Sequence, residues 1–165
     1  MRDHGVSQMT AEEIDSYLGR QPRSCAFASL RNDGSPIVTP LGYLYEGGYI
    51  HVSFAPGSNQ VKRLRRDPRV SITVSNDHFP VQYVIIVGTA EEVPDPDLEL
   101  ALRKHRWIMQ LAEDWLDQDE FERSHFAAGR VVFRVAVTAD NVAASDLRKA
   151  TLPVLAGATR PSFPA

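Results

Sequence analysis

The chain has a single cysteine, Cys25, among its 165 residues, which excludes a disulfide within the chain. It has no apolar run of the ~18 residues that a membrane-spanning helix needs, and residues 1–9 lack the apolar core of a signal peptide. Its 18 lysines and arginines are balanced by 21 aspartates and glutamates, giving a net charge of -3, so nothing favours nucleic acid as a general partner. These absences predict a cytoplasmic protein with no membrane or nucleic-acid partner.

Common catalytic motifs are also missing. The sequence has no Gly-x-Ser-x-Gly elbow, no P-loop and no dinucleotide fingerprint. Metal-ligand spacing is absent from its strand, turn and helix histidines, namely His51, His78, His105 and His125. His51 is the best placed of them to face a pocket, although a surface position is the simpler interpretation, and Cys25 is typical of a buried hydrophobe. Trp107 and Trp115 are interpreted as packing residues. We therefore predict no catalytic side chain and no metal ligand.

What the sequence does contain is a series of strands joined by tight turns. Alternating or β-branched segments predict six strands, at Ser24–Leu30, Ile37–Tyr45, Tyr49–Phe54, Val70–Ser75, Val81–Val93 and Val131–Val137. Asn32-Asp33-Gly34 and Gly47-Gly48 suit turns, because Asn, Asp and Gly tolerate positive φ. Tight turns without βαβ alternation predict an antiparallel six-stranded barrel, mainly β with flanking helices, over residues 1–149. Residues 150–165, rich in Pro, Ala, Gly and Thr, are predicted to form a loosely held tail.

Four helices are predicted beside the strands. The first begins at a capping box of Thr10 and Glu13, and Gly19 is predicted to close it in the left-handed conformation. Its apolar face is made by Ile14, Tyr17 and Leu18. The others are predicted at Gln60–Arg66, at about Asp97–Leu111 with Asp97 as cap, and at Asp119–Ala127. Gly88 is interpreted as a bend or bulge, and Asn141–Ser145 as an extension of the last strand.

The segment from Ser53 to Leu64 carries the strongest chemical signal. A strand ends there, a loop of small residues follows, and a helix begins with Lys62 and Arg63 near its start. Free amides at a helix N-terminus, together with the helix dipole, bind anions such as phosphate. Two other interpretations of these cations remain open. They could be a solvated helix face, or a short nucleic-acid patch, although the aromatic residues that interleave such patches are missing.

The same segment resembles a family signature. Gln60-Val61-Lys62-Arg63-Leu64-Arg65-Arg66-Asp67-Pro68-Arg69-Val70 is similar to a run in pyridoxamine-phosphate-oxidase-like flavin and deazaflavin reductases. Further stretches resemble the family's first hairpin, its long later strand, and its closing strand and tail: Asp33–Pro40, Tyr83–Val93, and Val131–Val137 with Ser145–Lys149. Together they cover roughly residues 10–149 in the family's order, which implies the FMN-binding split β-barrel fold.

The resemblance also implies an activity. It points to an oxidoreductase that uses coenzyme F420, or FMN, to transfer hydride or electrons to a small unsaturated or aromatic substrate. F420 is preferred because the Leu-Arg-Arg-Asp-Pro-Arg-Val run and the Ser-Asp-Leu-Arg-Lys ending look more like the deazaflavin branch. The redox chemistry belongs to the cofactor ring, so no catalytic triad is demanded of the protein. The alternative is a split barrel that binds a cofactor or another ligand without catalysis.

In that family the cofactor lies across a homodimer interface. Carried over by position, Thr39 and Pro40 lie under the ring, and its edge is lined by Ser53, Phe54 and Ala55. The ribityl-phosphate end is held by Ser58, Asn59, Gln60, Val61, Lys62 and Arg63. A second copy of the chain is also favoured by four aromatic side chains of the predicted strands that could pack against it: Tyr43, Tyr45, Tyr49 and Tyr83.

Three positions depart from the family pattern. Gln60 stands where the family usually has its phosphate-binding lysine, Arg63 where asparagine is common, and Ser145 where an aromatic residue is common. An amide donates hydrogen bonds but supplies no charge, so the anion site needs Lys62 or Arg63 to replace the missing cation. Both side chains directed into the loop would support the oxidoreductase, and both directed to solvent would support the alternative.

Overall fold

The computed structural model of the chain describes residues 8–20, 24–76, 81–109, 126 and 128–149. The helices in this part of the chain are α1 (Ala11–Gly19), α2 (Asn59–Arg66) and α3 (Glu99–Met109). The strands are β1 (Ser24–Leu30), β2 (Pro36–Gly42), β3 (Leu44–Glu46), β4 (Tyr49–Phe54), β5 (Arg69–Ser75), β6 (Gln82–Thr89), β7 (Glu91–Val93), β8 (Val131–Ala136) and β9 (Val142–Asp146), with a 3₁₀ turn at Leu147–Lys149. Within these ranges no helix combines the length and apolar character needed to cross a membrane.

Some predictions fall outside the described residues. These are the tail at 150–165, Trp115, His78, His125, and all of the helix predicted at 119–127 except Phe126. The division into a domain at 1–149 and a tail, and the cytoplasmic location, stay predictions.

The strands form two antiparallel sheets with the orders β2-β1-β5-β6-β9 and β3-β4-β8-β7. Two predicted strands pass from one sheet to the other and are divided where they cross. Ile37–Tyr45 divides at Tyr43 into β2 and β3, and Val81–Val93 divides at Ala90 into β6 and β7. The mainly β, antiparallel architecture predicted from the sequence is confirmed. The six predicted strands appear as nine segments because of these two divisions and the separate strand β9.

The core lies between the two sheets, and α1 packs against it. The capping box of α1 is confirmed, since the Thr10 N–H donates to the Glu13 carboxylate at 2.7 Å and the Glu13 N–H donates to Thr10 Oγ1 at 3.2 Å. The predicted apolar face is buried, at Ile14, Tyr17 and Leu18. Two buried tyrosine hydroxyls join α1 to the sheets: Tyr17 donates to the Gln82 carbonyl at 3.0 Å, and Tyr43 donates to the Leu18 carbonyl at 3.2 Å.

Two predictions about helix ends are wrong. Gly19 stays helical, and α1 ends at Arg20 in the right-handed region. A Cβ at Gly19 would make an ordinary van der Waals contact with Tyr45 Cδ1 at 3.7 Å. Asp97 does not cap α3, because Leu98 (φ 59°) turns the chain just before the helix. The earlier carboxylate of Asp95 takes that role and accepts from the amides of Leu100 and Ala101 at 3.0 Å each.

Two predictions about strands are corrected as well. Residues 141–145 do not extend β8. Asn141 closes a turn by donating to the Ala136 carbonyl at 2.8 Å, so the chain leaves β8 and pairs as β9 with β6 of the other sheet. Gly88 stays paired with Val70 inside β6, and the strand breaks at Ala90 instead. A Cβ at Gly88 would lie 3.3 Å from Val135 Cγ1, so the glycine permits a close approach between the sheets.

β9 and the 3₁₀ turn after it contact the residues at and just before the start of α1. Arg148 forms a two-pronged ion pair with Asp146, which also accepts from Gln82 Nε2 at 3.1 Å. The Arg148 guanidinium holds the pKa of the buried Asp146 carboxyl at about 2. Three contacts then join this segment to residues 8–13: the Gln8–Ser145 bridge, the Met9 amide with the Ala144 carbonyl, and Lys149 with the Glu13 carboxylate.

The outer face of the five-stranded sheet is uncharged over most of its width. The strand registers align two rows of side chains across it, Val38–Ala28–Ser71–Val87 and Pro40–Ala26–Thr73–Ile85–Ala143. Val38 and Val87 are 60% and 61% exposed and are the large hydrophobic side chains left exposed in the described residues. An uncharged, β-branched outer face is unusual for a sheet that borders water.

The argument for a second copy that rested on four tyrosines needs correction. Tyr43 is fully buried beneath α1, the Tyr45 hydroxyl donates to Asp15 at 2.9 Å, and the Tyr49 ring lies 4.6 Å below the guanidinium of Arg134. Tyr83 lies two and four residues before Ile85 and Val87 on β6, so it shares the uncharged face with them. The two rows of small and β-branched residues, and not the aromatics, now carry that argument.

Candidate functional site

The loop after β4 and the start of α2 are held rigidly by local geometry. Gly57 adopts φ 74°, a left-handed turn that other residues disfavour, and the chain then enters α2 with Ser58 as its cap. Ser58 Oγ accepts from the Val61 amide at 3.4 Å. The amides of Asn59 and Gln60, in the first turn of α2, have no acceptor among the described residues. These two N–H groups are therefore available to an anion.

The five cations of this segment divide into two groups. Three are tied to other parts of the chain by short hydrogen bonds: Arg65 to the Glu92 carboxylate, Arg66 to the Leu30 carbonyl and the Asn32 side chain, and Arg69 to the Asp67 carboxylate. The hydrogen bonds from Arg69 hold the pKa of Asp67 at about 2. These three cations fasten the C-terminal half of α2 and the start of β5.

Lys62 and Arg63 form the second group, nearer the start of the helix. Neither side chain makes a hydrogen bond or ion pair with any described residue. Lys62 is exposed, whereas Arg63 is half-buried and its Nη1 atom is fully buried without an acceptor. A buried guanidinium N–H without an acceptor is costly. Because an anionic oxygen would satisfy it, the residues present fit a phosphate group.

The positions predicted under the cofactor ring lie on β2, in the other sheet. Thr39 pairs with Phe27 and points to the core side of the sheet, whereas Pro40 pairs with Ala26 and points to its uncharged outer face. The two side chains therefore lie on opposite faces of β2. The Phe27 and Phe54 rings meet at 6.0 Å, and this contact joins the β2 positions to the end of β4.

The remaining predicted positions differ in whether their side chains, or only their main-chain atoms, can line a site. The side chains of Phe54 and Val61 are buried in the core, at 6% and 1% exposure, so only their main-chain atoms can line a site. Ser53 is half-buried and pairs with Val132 on the side of β4 that faces α3. Ala55 and Asn59 are exposed, and Ser58 and Gln60 are half-buried. Residues 55–63 thus form one continuous loop and helix start, whereas Thr39 and Pro40 lie on β2 in the five-stranded sheet.

Comparison with known proteins identifies the family. The family model for pyridoxamine 5'-phosphate oxidase matches residues 10–140. The chain belongs to the pyridoxamine 5'-phosphate oxidase family. A conserved hypothetical protein from Mycobacterium tuberculosis is similar in structure, with a TM-score of 0.72 and 24% identity over 97% of this chain and 98% of that one.

Two further solved structures are similar to this pyridoxamine 5'-phosphate oxidase family member. An FAD-binding protein from Mesorhizobium loti has a TM-score of 0.59 and 26% identity over 84% of this chain and 94% of its own. An F420 reductase has a TM-score of 0.60 and 22% identity over 75% of this chain and 93% of its own. The split-barrel fold and the family resemblance read from the sequence are confirmed.

His51 occupies a different place in this family member from the surface position expected. It is 7% exposed, lies on the α3 side of β4, and its Nδ1 has no hydrogen-bond partner in the described part of the chain. Burial lowers its pKa, and the nearest charges are Glu46, Arg134 and Arg103. Among the described residues no group of three His, Cys, Asp or Glu side chains could hold a metal ion.

A second group of donors lies at the end of β4, where the sequence carries no local signal for it. Phe54 pairs with Val131, so Ala55 and Arg130 leave the sheet side by side. The charge of Arg130 acts on Lys104 of α3, which also lies near Cys25. Trp107 follows Lys104 by three residues and so shares its side of α3. Lys104 and Trp107 could be paired from helical spacing, but Arg130 comes near them only because α3 packs against β8 and Phe126 in the fold.

Proposed function

We propose that the protein is an oxidoreductase that uses coenzyme F420, or alternatively FMN, to transfer hydride or electrons to a small unsaturated or aromatic substrate. The division of the cations on α2 carries this proposal. Three of them are used to hold the fold, whereas Lys62 and Arg63 make no such contact with the described residues and lie on the same short helix as the free amides. The likenesses to an F420 reductase and to an FAD-binding protein support the class of cofactor.

The phosphate of the cofactor would be bound by the start of α2. The amides of Asn59 and Gln60 would donate to it, and the helix dipole would add to their attraction. Lys62 and the buried Nη1 of Arg63 would supply the charge that Gln60 lacks. Ser58 contributes by holding the first turn in place through its cap on Val61. The cation of this site is thus moved two or three residues along the helix from its usual family position.

The ring end would lie against strand backbone. Thr39, Ser53 and Ala55 would offer side chains or main-chain atoms, and Phe54 would offer its main chain alone because its ring is in the core. The ring, when bound, supplies the electron transfer, so the protein's part is to bind, orient and exclude water. No catalytic side chain is assigned.

We further propose a homodimer whose interface includes the uncharged face of the five-stranded sheet. Pro40 belongs both to this face and to the positions expected under the ring. A second copy packed on this face would therefore border the cofactor, as the family resemblance implies. Covering two rows of uncharged side chains removes apolar surface from water, which favours association.

A non-catalytic ligand-binding barrel is the second candidate. One observation favours it, because Lys62 is exposed to solvent and so only Arg63 of the two cations is directed inward. The fold is compatible with either role, since fold alone does not determine function. The two candidates differ in whether a bound cofactor is turned over.

Titration of F420 and FMN tests the proposal. We expect saturable micromolar binding of one of them to the unaltered protein, and binding at least ten times weaker to the K62A/R63A double variant, because each charge-assisted hydrogen bond contributes about 1.5–3 kcal/mol. The matched control is R65Q/R69Q, which removes the same charge from the same segment and should change affinity less than threefold.

The outcomes separate the candidates. Equal affinity in K62A/R63A and in the unaltered protein would remove these residues from the site. Failure of both cofactors to bind would contradict the oxidoreductase. Tight binding without reduction of any substrate in a screen of unsaturated and aromatic compounds would favour the ligand-binding barrel.

A further inference from the structure

Lys104 is a half-buried cation without an anionic partner among the described residues. Its ammonium makes no hydrogen bond or ion pair with any described residue, and the charged group that acts on it is a second cation, Arg130. Burial, followed by the charge of Arg130, lowers the pKa of Lys104 to about 8. The nearby Cys25 thiol offers no compensation, because burial raises its pKa to about 12 and keeps it neutral. A buried charge without a partner destabilises a fold and is retained where it serves a purpose.

Trp107 provides an independent observation at the same place. Its indole Nε1 is fully buried and has no hydrogen-bond partner in the described residues, although buried indole N–H groups usually have one. Packing alone explains the position of the half-buried ring, but it does not explain a buried N–H that has no acceptor among the described residues. Since Lys104 and Trp107 are three residues apart on α3, their polar ends lie on the same side of the helix.

The three side chains are alike in chemistry. Lysine, arginine and the indole nitrogen of tryptophan donate hydrogen bonds and accept none. The Arg130 guanidinium lies over the Phe126 ring at 5.2 Å, and the same ring meets that of His105, the neighbour of Lys104, at 5.3 Å, so Arg130 lies close to this part of α3. Three such donors, two of them cationic, match the oxygens of a single anionic group. A metal ion or a cationic ligand would be repelled.

We propose that Lys104, Trp107 and Arg130 form a binding site for one anionic group, a carboxylate or a phosphate, of a small-molecule ligand. The site lies where β4 ends and β8 begins, and it is separate from the start of α2. It goes beyond the proposed function, because its occupant can be a substrate or any other small anion whatever the identity of the cofactor. No bond is made or broken there, and the site binds and orients.

The lysine content of the chain makes a direct test possible. Lys62, Lys104 and Lys149 are its three lysines, and they lie in the proposed cofactor site, in this site, and in an ion pair with Glu13. Protein made with ¹³C-lysine therefore gives three Cε signals, which variants at each position assign. Inorganic phosphate and acetate are titrated separately at pH 7, with sodium chloride at matched ionic strength as the reference.

We expect the Lys104 signal to shift saturably with phosphate, acetate or both, and its titration midpoint to rise by about one pH unit in their presence. A response to phosphate alone identifies a phosphate group as the occupant, and a response to acetate alone identifies a carboxylate. Trp107→Phe, which keeps an aromatic ring but removes the indole N–H together with part of the ring, should weaken anion binding about three- to tenfold. A Lys104 signal that follows neither anion beyond chloride would overturn the proposal.

Thermal unfolding gives a second measurement. The anion should raise the Tm of the unaltered protein and of the control Lys149→Met, but not that of Lys104→Met. Lys104→Met should be at least as stable as the unaltered protein in anion-free buffer, because it removes a buried unpaired charge. An anion-dependent rise in Tm that persists in Lys104→Met would contradict the site. Because Lys62 reports on the cofactor site separately, failure of either proposal leaves the other standing.

Discussion

The outer faces of the two sheets differ sharply. The four-stranded sheet is covered by α3 and crossed by charged contacts, such as Arg103–Glu46 at 3.0 Å and Arg134–Glu91 at 2.8 Å. The five-stranded sheet carries two rows of small and β-branched side chains without a charge. The sheet that α3 covers also has partners for its charged side chains. The sheet whose outer face is left uncovered by the described residues has the small and β-branched composition typical of an interface.

The largest effect is expected from placing a charge on the uncharged face. Val87→Asp buries a carboxylate in the proposed dimer interface, and symmetry places a second one on the partner, so we expect the dimer dissociation constant to rise more than a hundredfold. Thr89→Asp adds the same charge to the same strand outside the two rows and should have little effect. Sedimentation equilibrium measures both. An unaltered protein that is monomeric at micromolar concentration would remove the interface altogether.

A smaller effect is expected where α3 meets the end of β2. A Cβ at Gly42 would lie 2.4 Å from Ile108 Cδ1 and 3.0 Å from its Cγ1, so Gly42→Ala forces the Ile108 side chain out of its place. We expect a loss of about 1–3 kcal/mol in the free energy of unfolding, measured in urea. Ile108→Val removes the clashing methyl, and the double variant should recover most of that loss. Additive effects of the two substitutions would show that α3 does not pack on Gly42.

The smallest effect is expected on the pH dependence of stability, through His51 on the α3 side of β4. Burial lowers the pKa of His51 below its ordinary value of 6.5, and the groups around it are Glu46 on β3, Tyr49 on β4, Arg134 on β8 and Arg103 on α3. The unfolded chain therefore takes up the proton first, and stability that is full above pH 6.5 falls as the pH drops through 6.5 toward the folded-state pKa.

His51→Gln should flatten this part of the stability profile relative to the unaltered protein. Urea unfolding at pH 5.5 and pH 7.5 measures the difference. His105→Gln, which removes a half-buried histidine of α3 that packs against Phe126, serves as the control for loss of a histidine. Equal pH dependence in His51→Gln and the unaltered protein would show that His51 is protonated alike in both states.

Local signals predicted most of the elements, and long-range pairing decided the rest. The Thr10–Glu13 box and the glycine turns depend on neighbours within three residues, and all of them are found. The crossings at Tyr43 and Ala90 depend on which sheet takes up the next segment, and no local pattern records that. Asp95 and Asp97 look alike in the sequence, and the positive φ of Leu98 selects between them.

The candidate site shows the same limit. The sequence singles out Lys62 and Arg63 by their place on α2, but it does not reveal that Arg65 and Arg66 bind Glu92 and Asn32, which lie 27 and 34 residues away along the chain. Only the folded arrangement separates cations that fasten α2 from Lys62 and Arg63. The group at Lys104 is hidden for the same reason, because Arg130 comes near it only through tertiary packing, in which Arg130 and His105 both contact the Phe126 ring.

The contacts between residues 8–13 and residues 144–149 have a consequence for biosynthesis. The first helix and the edge of β6 both find partners in residues 142–149, and the Lys149–Glu13 contact spans 136 positions, so these partners are synthesised long after α1. A nascent chain that stops short of them keeps one strand edge open and α1 only half anchored, the form most exposed to aggregation and to chaperones. Closure of the barrel therefore waits for the synthesis of residues 142–149, and its rate is set by contacts such as that between Lys149 and Glu13, 136 positions apart.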